Sequence, residues 1–295
     1  MTVPPPLAGL LDASHRWALE RAREAIHAGL SGHDRSLPEL AERRELQAPG
    51  AEGPLEARLY RPAGVAEDAP LLLYFHGGGF VVSDLDTHEA LCIRLAHAGG
   101  LRVLASRYRL APEHRFPAQL DDAGSVARWL LGEAALARGA RIAIGGDSAG
   151  AYLAAASAAQ IEPDHPGAFA AQLLLYPLVQ MDEAVWAETL LQETRAVGWA
   201  AVRYIDAQLG GSGAPSLLSL PMAPSPSLIV AGGPLDPCRA DALALAENLR
   251  AAGREVVWRE YPPLIHGFGN LTHVSAAARQ ALAEIGAALG EMLAR

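Results

Sequence analysis

Short apolar runs alternate with longer helical patterns from Leu55 to the C-terminus, and this alternation restricts the possible folds more than any other feature. Several runs, notably LLLYF, QLLLY and SLIVA, lack the regular polar alternation of a half-exposed strand. They are typical of parallel strands that are covered on both faces. The predicted strands are Leu55–Tyr60, Pro70–Phe75, Leu101–Ser106, Arg141–Ile144, Gln172–Tyr176, Ser227–Ala231 and Glu255–Tyr261.

Helical patterns separate these strands, near Thr87–Ala98, Phe116–Arg138, Ala149–Gln160, Arg239–Ala252 and Ser275–Leu293. Asp86 and Thr87 are candidate caps for the first helix, and Gly99-Gly100 is a candidate stop at its end. Strands and helices that alternate at these lengths predict an α/β fold with a mostly parallel central sheet flanked by helices.

Two segments fall outside this alternation. Residues 1–50 have a helical pattern with Pro and Gly breaks, and residues from about 178 to 213 form a second helical insertion. We expect an N-terminal helical cap segment over 1–50 and a main domain over 51–295 that carries the insertion. The two segments either pack together as a cap over the carboxyl edge of the sheet or decorate its periphery, and the sequence favours neither.

Composition and charge exclude several classes of function. The net charge of −9 and the pI of about 5.6 disfavour binding to nucleic acid. All 24 basic residues are Arg, because the sequence contains no Lys. Schiff-base chemistry, attachment of pyridoxal phosphate, a phosphate-binding P-loop and a Ser–Lys dyad are therefore ruled out.

Metal sites, cofactors and membrane attachment have no support in the sequence. Cys92 and Cys238 are far apart and form no metal-binding spacing, and the ten histidines include no HExxH motif. The N-terminus lacks the basic and apolar regions of a secretory signal, and no apolar run approaches the ~20 residues of a membrane span. We expect a cytoplasmic protein with no metal, no cofactor and no membrane span.

The strongest local motif is Gly146-Asp147-Ser148-Ala149-Gly150, a GxSxG pentapeptide between a predicted strand and a predicted helix. Glycines at these positions permit a tight turn that lifts the Ser hydroxyl out of the edge of the sheet. The start of the following helix favours developing negative charge. The motif therefore identifies Ser148 as a candidate nucleophile, the alternative being an ordinary turn serine.

A glycine run, His76-Gly77-Gly78-Gly79-Phe80, follows the strand LLLYF directly. Successive glycines let backbone N–H groups approach a substrate oxygen, as an oxyanion hole requires. A flexible turn is the alternative. A phosphate loop would need the GK[ST] sequence, which is absent.

A serine nucleophile needs a base and an orienting acid, which in this kind of fold follow it in the order Ser, acid, His. Asp236 follows the strand SLIVAG, and His266 follows the strand EVVWREY. Taken singly, Asp236 is also a candidate helix cap and His266 a candidate loop histidine. Together with Ser148 they have the order and the strand-end positions of a Ser-His-Asp hydrolase.

The combination of HGGGF, YRLAPEHRFPA, GDSAG, Asp236-Pro237 and His266-Gly267-Phe268 resembles the hormone-sensitive-lipase-like family of α/β-hydrolase esterases, and more narrowly its bacterial GDSAG branch, family IV. The resemblance implies an α/β-hydrolase catalytic domain under a helical cap. It also implies hydrolysis of small-molecule carboxylic esters with short to medium acyl chains, without metal or cofactor. It allows a homodimer. Amide hydrolysis or lactone opening on the same triad, and a non-catalytic receptor on this fold, are the alternatives.

Carried over position by position, the resemblance implies that Ser148 is the nucleophile, His266 the base and Asp236 the acid. The oxyanion donors it implies are the amides of Gly78, Gly79 and Ala149, while Gly77 serves the turn. His76, Tyr108 and Arg109 match positions that hold the oxyanion loop. The sequence departs from the usual pattern at Ser83, where Gly is common, at Arg107, where Asp is usual, and at Cys238, where Leu is frequent.

Overall fold

A computed structural model describes residues 5–137, 139–181, 207 and 214–295. Most of the insertion predicted at about 178–213 therefore lies outside the described residues. Within the described ranges, no helix combines the length and the apolar character that crossing a bilayer requires.

One sheet organises the described part of the chain, with strands in the order β1-β2-β4-β3-β5-β6-β7-β8. Strands β3 to β8 run parallel, whereas β2 pairs antiparallel with both β1 and β4. The strands are β1 (Leu40–Pro49), β2 (Pro54–Pro62), β3 (Leu71–Phe75), β4 (Arg102–Ser106), β5 (Ile142–Asp147), β6 (Ala171–Leu175), β7 (Ser227–Gly232) and β8 (Val256–Tyr261). All seven predicted strands are confirmed.

Helices cover both faces of this sheet, as the apolar strands require. The described helices are α1 (Pro5–Leu30), α2 (Glu89–Gly99), α3 (Ala118–Gly132), α4 (Ala134–Ala137), α5 (Ala149–Ile161), α6 (Arg239–Ala251) and α7 (Ala276–Ala294). Helices α2 and α7 contribute to the apolar core on one face, and α3, α5 and α6 contribute to the core on the other. The α/β architecture with a mostly parallel sheet is confirmed.

The predicted helical pattern of residues 1–50 is wrong for ten residues near its end, because Leu40–Pro49 form the edge strand β1. Its sequence, LAERRELQAP, is too charged to show the apolar alternation of a strand. Opposite charges on β2 hold it instead: Arg58 Nε lies 2.7 Å from Glu45 Oε1, and Arg61 Nε lies 3.3 Å from Glu42 Oε2. Charged side chains are common on edge strands, where they discourage pairing with other chains.

The ends of α2 were predicted only in part. Gly100 ends the helix with φ 58°, as the Gly99-Gly100 pair predicts. The predicted cap at Asp86 or Thr87 is wrong, because His88 precedes the first helical residue and makes no side-chain cap. The Thr87 hydroxyl donates to the Asp84 carbonyl oxygen at 2.8 Å, so it is engaged in the loop before the helix.

Candidate active site

The sequence-predicted site residues follow the carboxyl ends of four parallel strands, which lie on the same edge of the sheet. The glycine run follows β3, Ser148 follows β5, Asp236 follows β7 and His266 follows β8. The last two loops are joined directly, since the Gly233 amide donates to the Leu264 carbonyl oxygen at 2.7 Å. Residues far apart in sequence therefore meet at one edge.

Ser148 occupies a strained turn between β5 and α5, with φ 51° and ψ −116°. The residues two positions before and after it, Gly146 and Gly150, must be glycines for steric reasons. A Cβ on Gly146 would lie 2.4 Å from the Phe75 carbonyl oxygen, and a Cβ on Gly150 would lie 2.0 Å from the same atom. The Ser148 amide donates to the Leu175 carbonyl oxygen at 2.9 Å, which anchors the turn to β6. Strain of this kind persists where the surroundings enforce it and is common at functional sites.

Asp236, His266 and Ser148 form a continuous chain of hydrogen bonds. His266 Nδ1 lies 2.8 Å from Asp236 Oδ1, and His266 Nε2 lies 3.0 Å from Ser148 Oγ. Asp236 is buried, whereas the His266 side chain remains 30% exposed. All three predicted residues are thus brought together in the order and spacing that proton transfer from Ser148 to His266 requires.

The electrostatics of the pair favour a charged Asp236. Burial disfavours its ionised form, but His266 and the amides of Cys238 and Gly232 outweigh burial and hold the pKa of the carboxyl below its ordinary value. These amides donate at 2.9 and 3.0 Å. Burial would lower the pKa of His266, but Cys238 and Asp236 oppose it, and the pKa of this imidazole lies well above its ordinary value.

Two amides of the glycine run are available as donors. Gly78 and Gly79 have φ of 113° and 61°, and their N–H groups donate to no acceptor among the described residues. A Cβ on Gly78 would lie 2.2 Å from the Val82 carbonyl oxygen, so no other residue fits there. The Gly77 amide is already engaged by Asp147 Oδ1 at 2.8 Å, and Ala149, at the first position of α5, has no intrahelical acceptor for its amide.

Asp147, the residue before the candidate nucleophile, is a buried anchor for the glycine run. Its Oδ1 accepts from Tyr74 Oη and from the Gly77 amide, both at 2.8 Å, and lies 3.2 Å from His88 Nε2. Burial opposes ionisation, but His88 and the hydrogen bonds outweigh it and lower the pKa of Asp147 below its ordinary value. This carboxylate therefore links the turn at Ser148 to the glycine run.

Of the residues expected to hold the oxyanion loop, Tyr108 and His76 contact each other at the glycine run, whereas Arg109 contacts α3. Tyr108 Oη donates to the His76 carbonyl oxygen at 2.8 Å, and the two buried rings stack with centroids 4.4 Å apart. Burial, with His88 nearby, lowers the pKa of His76 to about 4, so this imidazole is neutral at pH 7. Arg109 instead binds Asp122 Oδ2 through Nε at 2.8 Å, so it braces the start of α3.

Sequence reasoning missed three contributors to this region. His88 and Tyr74 were not singled out, although a tyrosine within the fully buried run LLLYF signals a buried hydroxyl that needs a partner. Arg23 of α1 was also missed. It donates to the Val81 and Ala111 carbonyl oxygens at 2.8 and 2.9 Å and thereby ties α1 to the loop after β3. No sequence motif indicates that contact.

Comparisons with known proteins identify the same fold and a family of esterases. The model of a family described as having the alpha/beta hydrolase fold matches residues 72–270. A protein named Esterase LipI from Mycobacterium tuberculosis is 33% identical over 302 residues, which cover 95% of this chain and 92% of that protein. Carboxylic ester hydrolase LipN from the same organism is 35% identical over 271 residues, covering 85% of this chain and 70% of LipN.

A solved structure with the same architecture comes from Pyrobaculum calidifontis and is described as an esterase in a monoclinic form. It superposes with a TM-score of 0.82 at 28% identity, over 99% of this chain and 99% of that one. The likeness therefore extends beyond the residues matched by the family model.

Proposed function

The chain belongs to the α/β-hydrolase fold family, in its hormone-sensitive-lipase-like group of esterases, and from this premise we propose that it is a serine carboxylesterase acting on short- to medium-chain acyl esters. The observation that carries the proposal is the unbroken hydrogen-bond chain from Asp236 through His266 to Ser148 Oγ, with distances of 2.8 and 3.0 Å. The esterase names of the relatives agree with it.

In the proposed reaction Ser148 Oγ attacks the ester carbonyl carbon while His266 Nε2 accepts the hydroxyl proton. Asp236 keeps Nδ1 protonated, so that Nε2 is free to accept, and it stabilises the imidazolium that forms. His266 then donates the proton to the departing alkoxide, and the alcohol leaves. Water hydrolyses the acyl-enzyme through the same steps, with His266 again as the base.

Attack by Ser148 places negative charge on the carbonyl oxygen of the ester, and hydrogen-bond donors must already be in position to stabilise it. The amides of Gly78, Gly79 and Ala149 supply them in this proposal, since the first two donate to no described acceptor and the third lacks an intrahelical one. Each such donor contributes roughly 3 kcal/mol to transition-state stabilisation. Nucleophile, base and donors all belong to the chain, so the scheme requires neither metal nor cofactor.

The test is hydrolysis of p-nitrophenyl esters from acetate to palmitate, with Ser148→Ala in parallel. We expect the rate to peak at short or medium chains and to fall by on the order of 10⁴-fold or more in Ser148→Ala. Ser157→Ala, a buried serine of α5 outside the triad, is the matched control and should keep its activity. Wild-type rates in a clean Ser148→Ala preparation would refute the assignment.

Two further measurements separate the alternatives. Paired ester and amide substrates with the same acyl group distinguish an esterase from an amidase, and a lactone series does the same for ring opening. An irreversible phosphonate should label Ser148 in any of these enzymes, whereas a non-catalytic receptor should remain unlabelled. Cytoplasmic location and a homodimer stay predictions, to be tested by fractionation and by light scattering.

A further inference from the structure

Cys238 stands beside the triad but has no part in the proposed reaction. It directly precedes α6, its side chain is 3% exposed, and its backbone amide donates to Asp236 Oδ1 at 2.9 Å. The hydrogen bond to Asp236 comes from the backbone and would survive a change of side chain. The thiol itself is therefore the feature that needs an explanation.

The fold brings this thiol together with two other metal-ligating groups. Cys238 Sγ, a carboxylate oxygen of Asp236 and an imidazole nitrogen of His266 all lie within 4.8 Å of one another. His266 is thirty residues beyond Asp236 in the chain, so the trio has none of the short spacings by which metal sites are recognised in sequences. Strands β7 and β8 create the cluster by ending side by side.

The chemistry of the trio suits a borderline or soft divalent cation. Zinc binds thiolate at about 2.3 Å and imidazole or carboxylate at about 2.0–2.2 Å, which places tetrahedral ligands about 3.3–3.8 Å apart. The three ligand atoms need to move by only about 1 Å to reach those separations. Three protein ligands also leave a fourth position for water, as in open zinc sites.

We propose that Cys238, Asp236 and His266 form an inhibitory binding site for a divalent cation of the Zn²⁺ or Cd²⁺ type. On binding, the Cys238 thiol releases its proton to solvent and the thiolate coordinates the ion. Coordination through His266 Nδ1 requires the proton on that nitrogen to move to Nε2 and breaks its contact with Asp236. Coordination through Nε2 leaves the proton on Nδ1 and breaks the contact with Ser148. Either mode removes the base from the triad, so this inhibitory part rests on the proposed function.

A second cluster in the described residues serves as a built-in comparison. His27, Asp84 and Asp86 also lie close together, but His27 Nδ1 is 2.9 Å from Asp84 Oδ2 and Asp86 Oδ1 is 2.9 Å from Arg58 Nη1. It contains no thiol, and an arginine already neutralises one of its carboxylates. Cadmium bound there would produce no thiolate signal.

Binding is measured without turnover on full-length Ser148→Ala. Cd²⁺ is titrated while the ultraviolet cadmium–thiolate charge-transfer band and the heat of binding are recorded. We expect one ion per chain with the band present. Adding Cys238→Ala or Cys238→Ser should abolish the band and weaken binding at least about tenfold. Cys92→Ala, at the only other cysteine, and His27→Ala should leave both signals unchanged.

Inhibition is then measured on the active chain, with each variant compared with its own metal-free rate. Zn²⁺ should inhibit the enzyme reversibly, with recovery on addition of EDTA, and Mg²⁺ should not, because it prefers oxygen ligands. Cys238→Ala should resist Zn²⁺. Undiminished Cd²⁺ affinity in both Cys238 variants, or binding without inhibition, overturns the proposal. If no ester is hydrolysed, the proposed function fails while the cadmium titration still decides whether the site exists.

Discussion

Gly150 stands where the start of α5 passes the loop after β3, and a methyl group there tests how the turn positions Ser148. A Cβ on Gly150 would lie 2.0 Å from the Phe75 carbonyl oxygen and 2.6 Å from the His76 carbonyl oxygen. Both are backbone atoms, so neither can rotate aside. We therefore expect Gly150→Ala to push the first turn of α5 away from β3.

The size of the effect follows from these contacts. Real Cβ atoms essentially never approach another atom more closely than 3.0 Å. Relief of the overlap thus needs a displacement of about 1 Å, and an error of that size in a reacting geometry costs on the order of 100-fold in rate. Ser148 and the amide of Ala149 move together, so the proposed nucleophile and one proposed oxyanion donor are both affected. The same overpacking should cost about 1–3 kcal/mol of stability.

The assay compares kcat on p-nitrophenyl butyrate with thermal unfolding for Gly150→Ala and a matched variant, Gly132→Ala. Gly132 is the last residue of α3, and a Cβ there would meet nothing within 4 Å. Gly132→Ala should keep its kcat and gain about 0.4–1 kcal/mol of stability. If Gly150→Ala retained kcat within about threefold, the steric reasoning for the GxSxG glycines would be wrong.

Three further predictions follow from the same region. Ser83 has φ 76°, so Ser83→Gly should stabilise the protein by about 0.5–1 kcal/mol in denaturant unfolding, whereas Ser219→Gly, where φ is not positive, should destabilise it. Because the pKa of His266 is raised and this proposed base must be neutral to act, kcat/KM should fall with decreasing pH through a pKa above 6.5, and a limb below pH 6 would contradict this. Arg23→Ala should lower kcat about tenfold at nearly constant KM, while Arg21→Ala should not, because exposed Arg21 pairs, among the described residues, with Glu24 of its own helix.

Burial explains which parts of the fold could be predicted from the sequence. LLLYF and SLIVA are buried at every position, and an uninterrupted apolar run carries that information locally. Strand β1 could not be predicted in this way, because its stability comes from pairing with β2 and from ion pairs such as Glu45 with Arg58. Its charged residues look the same on a helix or on an edge strand.

The candidate site divides in the same way. The meeting of Ser148, Asp236 and His266 at one edge of the sheet could be predicted, because each follows a recognisable strand and the order of the three residues is itself informative. The contacts of His88 with Asp147 and of Cys238 with His266 could not. They depend on which loops the sheet order brings together, and His88 and Cys238 carry no local motif. The proximity of Asp236, Cys238 and His266 has no sequence signal for the same reason, because the three residues share no metal-binding spacing.

The contacts of the glycine run bear on whether α1 is a peripheral addition. The run is fixed on its inner side by Asp147, which binds the Gly77 amide, and by Tyr108, which binds the His76 carbonyl oxygen. Its outer end is held by Arg23, whose guanidinium donates to the Val81 carbonyl oxygen and also pairs with Glu113 at 2.8 Å. The Val81 amide in turn donates to the Gly78 carbonyl oxygen at 3.1 Å. Two successive hydrogen bonds thus connect Arg23 of α1, through Val81, to Gly78, whose amide is a proposed oxyanion donor. Helix α1 therefore supports the geometry of the site and is not merely a peripheral addition.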